Sequence, residues 1–173
     1  VAYLRGDMQR AEERYMAYMR RAPKSEVEYA YANYGLGYAR FAEGKMEAAA
    51  DAFEEFVQAY STRDGYMYDA HNRLGDARYT LREFAKARKA YNVVLSSTSS
   101  GRDYARYQLA MVDGIERKTK SKIERLKSIV EDGKGDYVDD AWYELGRTYM
   151  AEERYKEGAQ ALRDFTNTDT GSP

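Results

Sequence analysis

Apolar residues recur along the chain at separations of 3 and 4, and short polar or glycine-bearing stretches interrupt them at regular intervals. That period belongs to amphipathic helices rather than to strands, whose inward residues alternate by two. Helical patterns run over 7–21, 25–43, 46–60, 65–79, 84–95, 102–114 and 119–130, and a last pair of helices ends near 166. Asp7 is placed to start the first of these, and Ser25-Glu26-Val27-Glu28 has the form of a capping box for the second. Gly44-Lys45 makes a tight turn, 61–65 is a connector, Ser96 to Gly101 is a small polar linker, and 132–135 is a loop. The two prolines, Pro23 and Pro173, leave the helix interiors free of breakers.

The sharpest pattern is Ala141-Trp142-Tyr143-Glu144-Leu145-Gly146-Arg147-Thr148-Tyr149. On a helix Trp142, Leu145 and Tyr149 share one apolar stripe, and Gly146 lets a neighbouring helix approach closely. Leu paired with a small residue returns at Leu36-Gly37, Leu74-Gly75 and Leu109-Ala110, so the small residues fall 38, 35 and 36 positions apart. A second column has a small residue followed four positions later by a bulky one: Ala11/Tyr15, Ala49/Phe53 and Ala87/Tyr91. The last two copies depart from it, with Lys122/Leu126 and Gly158/Leu162.

The W-x2-L-G-x2-Y spacing and the period resemble the tetratricopeptide repeat. That resemblance implies an all-α fold, a right-handed superhelix of antiparallel helix hairpins. It also implies a single array, with a partial repeat over 1–24 and repeats at 25–63, 64–101, 102–135 and 136–173. The chain opens at Val1 inside a repeat, with Val1 to Leu4 as the last turn of a helix, and 167–173 resembles the lead-in to a further repeat. A piece of a longer protein is therefore expected. Repeats of this length with Ala-x-x-x-Leu-Gly starts, as in Ala70-His71-Asn72-Arg73-Leu74-Gly75, are most similar to the bacterial cell-envelope branch, whose members are adaptors. The resemblance thus implies the periplasm or cell envelope.

Composition narrows the chemistry. With 28 basic and 29 acidic side chains and a net charge of −1, nothing favours nucleic acid or an anionic membrane as main partner. At 33% charged, the chain is too polar for a membrane span, and the absence of Cys excludes disulfides and thiolate chemistry. No cofactor or metal is expected and no enzyme, because no catalytic constellation stands out. His71, in the slot Trp142 occupies, has no second His or Cys to complete a site and reads as a packed helix residue. The run Arg117-Lys118-Thr119-Lys120-Ser121-Lys122 reads as a solvated helix face. A phosphate loop at 37–45 fails because Met46 replaces the Ser or Thr, and a calcium loop at 132–140 fails at Lys134.

The function implied by the resemblance is protein or peptide binding in a concave groove lined by the first helix of each hairpin. Its register places there Tyr31, Tyr34, Tyr38 and Phe41, then Asn72, Asp76 and Tyr79 with Asp69, then Tyr104, Tyr107 and Met111. Tyr143 and Arg147 follow with Asp140 and Met150. The family's clamp for terminal carboxylates is missing, since Tyr34, Tyr38 and Asp76 stand in its places, so a segment with apolar anchors is the expected partner. Tyrosine suits such contacts, although the same residues could instead fill helix–helix packing. A spacer or self-associating segment of a larger envelope protein and a glycan-binding groove are the alternative readings.

Overall fold

A computed structural model describes residues 7–98 and 101–168. Among them are nine helices and no strand: α1 (Met8–Met19), α2 (Val27–Ala42), α3 (Met46–Ala59), α4 (Gly65–Thr80), α5 (Phe84–Leu95), α6 (Arg102–Ile115), α7 (Thr119–Asp132), α8 (Val138–Ala151) and α9 (Tyr155–Thr168). The expectations for Val1 to Leu4 and for 169–173 lie outside the described residues. The chain divides into two compact units, Val1–Ser99 and Ser100–Pro173, and the division falls in the polar linker. Within unit 1 each of α1 to α5 packs on the next in sequence; within unit 2 the same holds for α6 to α9.

Side-chain caps mark two of the helix starts, those of α1 and α4. Asp7 Oδ1 accepts from the Arg10 N–H at 3.0 Å, and Asp64 Oδ1 accepts from the Tyr66 and Met67 N–H groups at 3.0 and 3.3 Å. The expected capping box does not form. The Glu26 N–H donates to the Pro23 carbonyl at 3.1 Å, so Ser25 is spent in a turn and α2 begins at Val27 behind an uncapped Glu26.

The hairpin turns repeat with the register of the Leu column. Eight residues after Leu36, Leu74, Leu109 and Leu145 stand Gly44, Arg82, Arg117 and Glu153, all left-handed at φ 75°, 61°, 58° and 59°. In each case the following N–H reaches back five residues: Lys45 to Arg40 O, Glu83 to Arg78 O, Lys118 to Asp113 O and Arg154 to Tyr149 O, at 2.8–2.9 Å. These are Schellman closures, and only the first has the glycine that makes the conformation easy.

The two small-residue columns meet across each hairpin. A Cβ on Gly37 would lie 2.7 Å from the Phe53 ring, one on Gly75 would lie 2.4 Å from the Tyr91 ring, and one on Gly146 would lie 2.7 Å from Leu162. Phe53 and Tyr91 are fully buried as a result. Burying a large apolar side chain contributes about 1.5–3 kcal/mol, so these contacts are a main source of hairpin stability. Around them lie Phe56, Met67 and Leu74 in unit 1, and Leu126, Ile129 and Leu145 in unit 2, with many alanines between.

The Tyr149 position of the motif is filled differently in the other hairpins, and each substitute is tied by charge. Arg40 Nε donates to Glu12 of α1 at 2.8 Å, buried Arg78 donates to Glu54 of α3 and to Glu83, and buried Asp113 accepts from Arg125 of α7 at 2.7 Å. Tyr149 itself lies under the Arg154 guanidinium, 4.4 Å from its ring centre.

Two measurements follow from this packing. Gly75→Ala should destabilise the protein by about 1–3 kcal/mol through overpacking, and adding Tyr91→Leu should recover part of the loss, since Ala110 and Leu126 already share a core. A denaturant double-mutant cycle reads the coupling, and additive losses would contradict the ring-on-glycine contact. Arg117→Gly should raise stability by about 0.5–1 kcal/mol by removing left-handed strain, less the extra freedom of glycine in the unfolded chain. Gly44→Ala should do the opposite.

Candidate functional site

Helical spacing sets Tyr31, Tyr34, Tyr38 and Phe41 on one side of α2, and the structure grades them by depth. Tyr31 is exposed at 38%, whereas Tyr34, Tyr38 and Phe41 are half-buried and pack against the core of unit 1. The Tyr34 ring lies 5.1 Å from Phe56 and the Tyr38 ring 5.4 Å from Phe53. Both hydroxyls donate to the same oxygen, Asp69 Oδ2 of α4, Tyr34 at 2.6 Å. Burial first, and the Asp69 carboxylate second, push both phenols well above their ordinary pKa.

The network continues along α4. Asp69 Oδ1 lies 3.8 Å from Arg73 Nε, Arg73 pairs with Asp76 at 2.7 Å, and Asp76 Oδ1 accepts from the Tyr91 hydroxyl of α5 at 2.8 Å. Asp76 is thereby occupied inside the scaffold. Asn72 is buried at 3%, and Tyr79 is half-buried with its ring edge-on to Phe84.

Two residues that the sequence left out complete this face. Tyr66, at the start of α4, is exposed at 49% and meets Tyr31 at 5.4 Å and Tyr34 at 5.5 Å, edge-on in both cases. Tyr60, closing α3, is buried, stacks on Phe56, shares a hydrogen bond with Tyr31 and donates to Asp64 Oδ2 at 2.6 Å. A cleft of about 350 Å³ opens beside Tyr34, Asp64, Gly65 and Tyr66. The signal was the aromatic residues on both sides of the connector, which helix-by-helix reading separates.

Unit 2 has its own aromatic set. Tyr104 and Tyr107 are half-buried and both rest on Tyr137, at 5.5 Å, with the Tyr107 pair stacked. Met111 packs into the core. Tyr143 is exposed at 45%, backed by Phe165 at 5.5 Å, and the Arg147 guanidinium lies 5.7 Å from its ring centre while pairing with Glu144. Tyr137 and Phe165 were also absent from the sequence-based set.

The remaining candidates resolve into structure. His71 is half-buried, its Nδ1 has no hydrogen-bond partner among the described residues, and burial pushes its pKa down. It borders a cleft of about 390 Å³ with Leu74, Arg78 and Lys89, and Trp142 borders a smaller one, about 240 Å³, at the matching position. Within the basic run Lys118 pairs with Glu116 and Lys122 with Glu144 of α8, and beyond it Arg125 pairs with buried Asp113. Among the described residues no group of His, Asp and Glu is placed to hold a metal ion, and no helix is long and apolar enough to cross a membrane.

Models of the tetratricopeptide repeat match residues 1–64 and 139–169. No curated protein matches the chain. Among solved structures it is similar to MamA, at 18% identity over 96% of this chain and 91% of that one, with a TM-score of 0.80. It is also similar to the kinesin light chain-like repeats of Podosopora anserina, at 16% identity over 96% and 88% with a TM-score of 0.77. YrrB, described as having an unusual peptide-binding site, matches at 19% identity over 97% and 81% with a TM-score of 0.75. At these identities the likeness is one of fold.

His71 yields a pH prediction. Its folded pKa lies below the ordinary value near 6.5, so the unfolded chain takes up the proton first as pH falls. Stability is therefore intact above about pH 6.5 and declines below it, before carboxylates such as Glu12, held low by Lys45 and Arg40, begin to titrate. Denaturant unfolding of parent and His71→Gln at pH 7.5 and 5.5 should show the decline in the parent only.

Proposed function

The chain belongs to the tetratricopeptide-repeat family, and from that premise we propose that it is a protein-interaction scaffold whose first helices grip a peptide or protein segment. The observation that carries the reading is the pair Tyr31 and Tyr66, exposed rings from two successive first helices held 5.4 Å apart on a rigid aromatic base. Tyr143 offers a similar backed ring within unit 2. Rigid, amphipathic tyrosines of this kind lose little entropy on contact and are frequent binding anchors. The fold likeness to YrrB adds support, as a protein described by its peptide-binding site.

In this reading the tyrosines divide. Tyr31, Tyr66 and Tyr143 make contact, with Arg147 beside the last, while Tyr34, Tyr38, Tyr104, Tyr107, Phe41 and Met111 form the wall that fixes them. The half-burial of that second group favours a different reading, a spacer or self-associating segment, in which the aromatics serve packing alone. The envelope setting implied by the repeat length goes forward with either reading.

The triple substitution Tyr31→Ala, Tyr66→Ala and Tyr143→Ala separates the two. Each change at an exposed ring should cost under about 1 kcal/mol in unfolding experiments. Recovery of interacting proteins from a lysate of the source organism should fall sharply, because truncated anchors commonly cost about 2 kcal/mol or more. Unchanged recovery would favour the spacer. Tyr34→Ala is the contrast: as a half-buried ring bonded to Asp69 it should cost about 2 kcal/mol in stability.

A further inference from the structure

The cleft beside Tyr34 and Tyr66 has a composition that selects its ligand. It is lined by Tyr34, Asp64, Gly65 and Tyr66, with no cationic residue among them. Arg63 precedes Asp64 in sequence but is not part of the wall. Tyr31, outside the wall, stands edge-on to Tyr66 and holds it from the other side, and Tyr66 itself is exposed. The face of an aromatic ring is electron-rich and attracts cations within about 6 Å. Tyr34 donates its hydroxyl proton toward Asp69, and Tyr31 shares a hydrogen bond with Tyr60, whose own hydroxyl bonds Asp64; polarisation toward carboxylates makes these faces more negative.

We propose that this cleft is a binding site for a cationic side chain, arginine, lysine or methylated lysine, carried by the peptide or protein segment that the scaffold grips.

Asp64 supplies the countercharge. An ionised carboxylate offers about four acceptor positions, and the Tyr66 N–H, the Met67 N–H and the Tyr60 hydroxyl use three of them. The Tyr60 hydrogen bond first, and the backbone N–H groups with it, hold its pKa low, so it stays charged at neutral pH. The arrangement is pre-organised, because Asp64 is fixed as the cap of α4 and Tyr60 is fixed by stacking on Phe56. A cation arriving here meets aromatic rings and a carboxylate-bearing residue already in place, which limits the ordering cost of binding.

This inference rests on the peptide-binding reading, and its test keeps the two failures apart. Pools of randomised eight-residue peptides carrying arginine, lysine, trimethyllysine, norleucine or glutamate at one central position are arrayed and probed with the full chain. Retention on the three cationic pools should exceed that on the norleucine and glutamate pools by about tenfold, and rising salt should reduce it. Asp64→Asn keeps an oxygen for the helix cap, and both it and Tyr66→Leu should reduce the preference to about threefold or less while thermal melts stay near that of the parent. Equal retention on all pools, lost in the Tyr31→Ala and Tyr66→Ala chain, would overturn the cation site and leave the peptide-binding reading standing. Preference for glutamate, or a cationic preference undiminished in Asp64→Asn, would also overturn the cation site. Retention on no pool would overturn both.

Discussion

Each hairpin rests on one steric constraint: a bulky side chain of the second helix bears on a position of the first helix that has little or no side chain. Phe53 on Gly37, Tyr91 on Gly75 and Leu162 on Gly146 are the clearest cases. Close helix approach buries Phe53 and Tyr91 completely and Leu162 in part, and fixes the rotation of one helix against the other. Rotation decides everything outward of the contact. It sets Arg40, Arg78 and Asp113 where Glu12, Glu54 and Arg125 can pair with them, and it turns the tyrosines of α2 toward Asp69.

Asp69 then joins packing to recognition. By accepting two hydroxyls from α2 it links the first helices of successive hairpins at the surface of unit 1. Removing either donor takes one of its two hydroxyl hydrogen bonds from Asp69 and opens a gap among half-buried rings, so Tyr34 and Tyr38 are scaffold as much as surface. The same chemistry recurs one step away, where Tyr31, Tyr60 and Asp64 form a short chain of hydrogen bonds under the exposed Tyr66. A wall tied in this way presents a few rings in fixed positions, as a recognition surface requires.

The fold was legible because its determinants are repeated. The Leu–small column and the small–bulky column stand in one register, and the structure shows why, since the two columns touch. The candidate site was legible only in part. Spacing put Tyr31, Tyr34 and Tyr38 on one side of α2, yet depth depends on partners contributed by other helices, and sequence periodicity carries no information on those. Asn72 sank into the core on the same grounds. Tyr60, Tyr66, Tyr137 and Phe165 were missed because they sit near helix ends, outside the repeat's groove register. The left-handed turns at Arg82, Arg117 and Glu153 were equally silent, since neither Arg nor Glu announces that conformation. The capping box at Ser25 failed for a local reason: Glu26 rather than Ser25 holds the N-cap position, which leaves Glu28 one position short of where the box needs it.

The central claim is that, among the described residues, the tethered scaffold tyrosines, Tyr34 and Tyr38, are distinct from an exposed contact set, Tyr31, Tyr66 and Tyr143. Limited nitration of the native chain with tetranitromethane, with each modified tyrosine located by mass spectrometry, tests it directly. The account predicts early modification of Tyr31, Tyr66 and Tyr143, alongside the exposed Tyr18 and Tyr155, later modification of Tyr34 and Tyr38, and none of Tyr91 before the fold is lost. Tyr34 and Tyr38 reacting as fast as Tyr66 would contradict it.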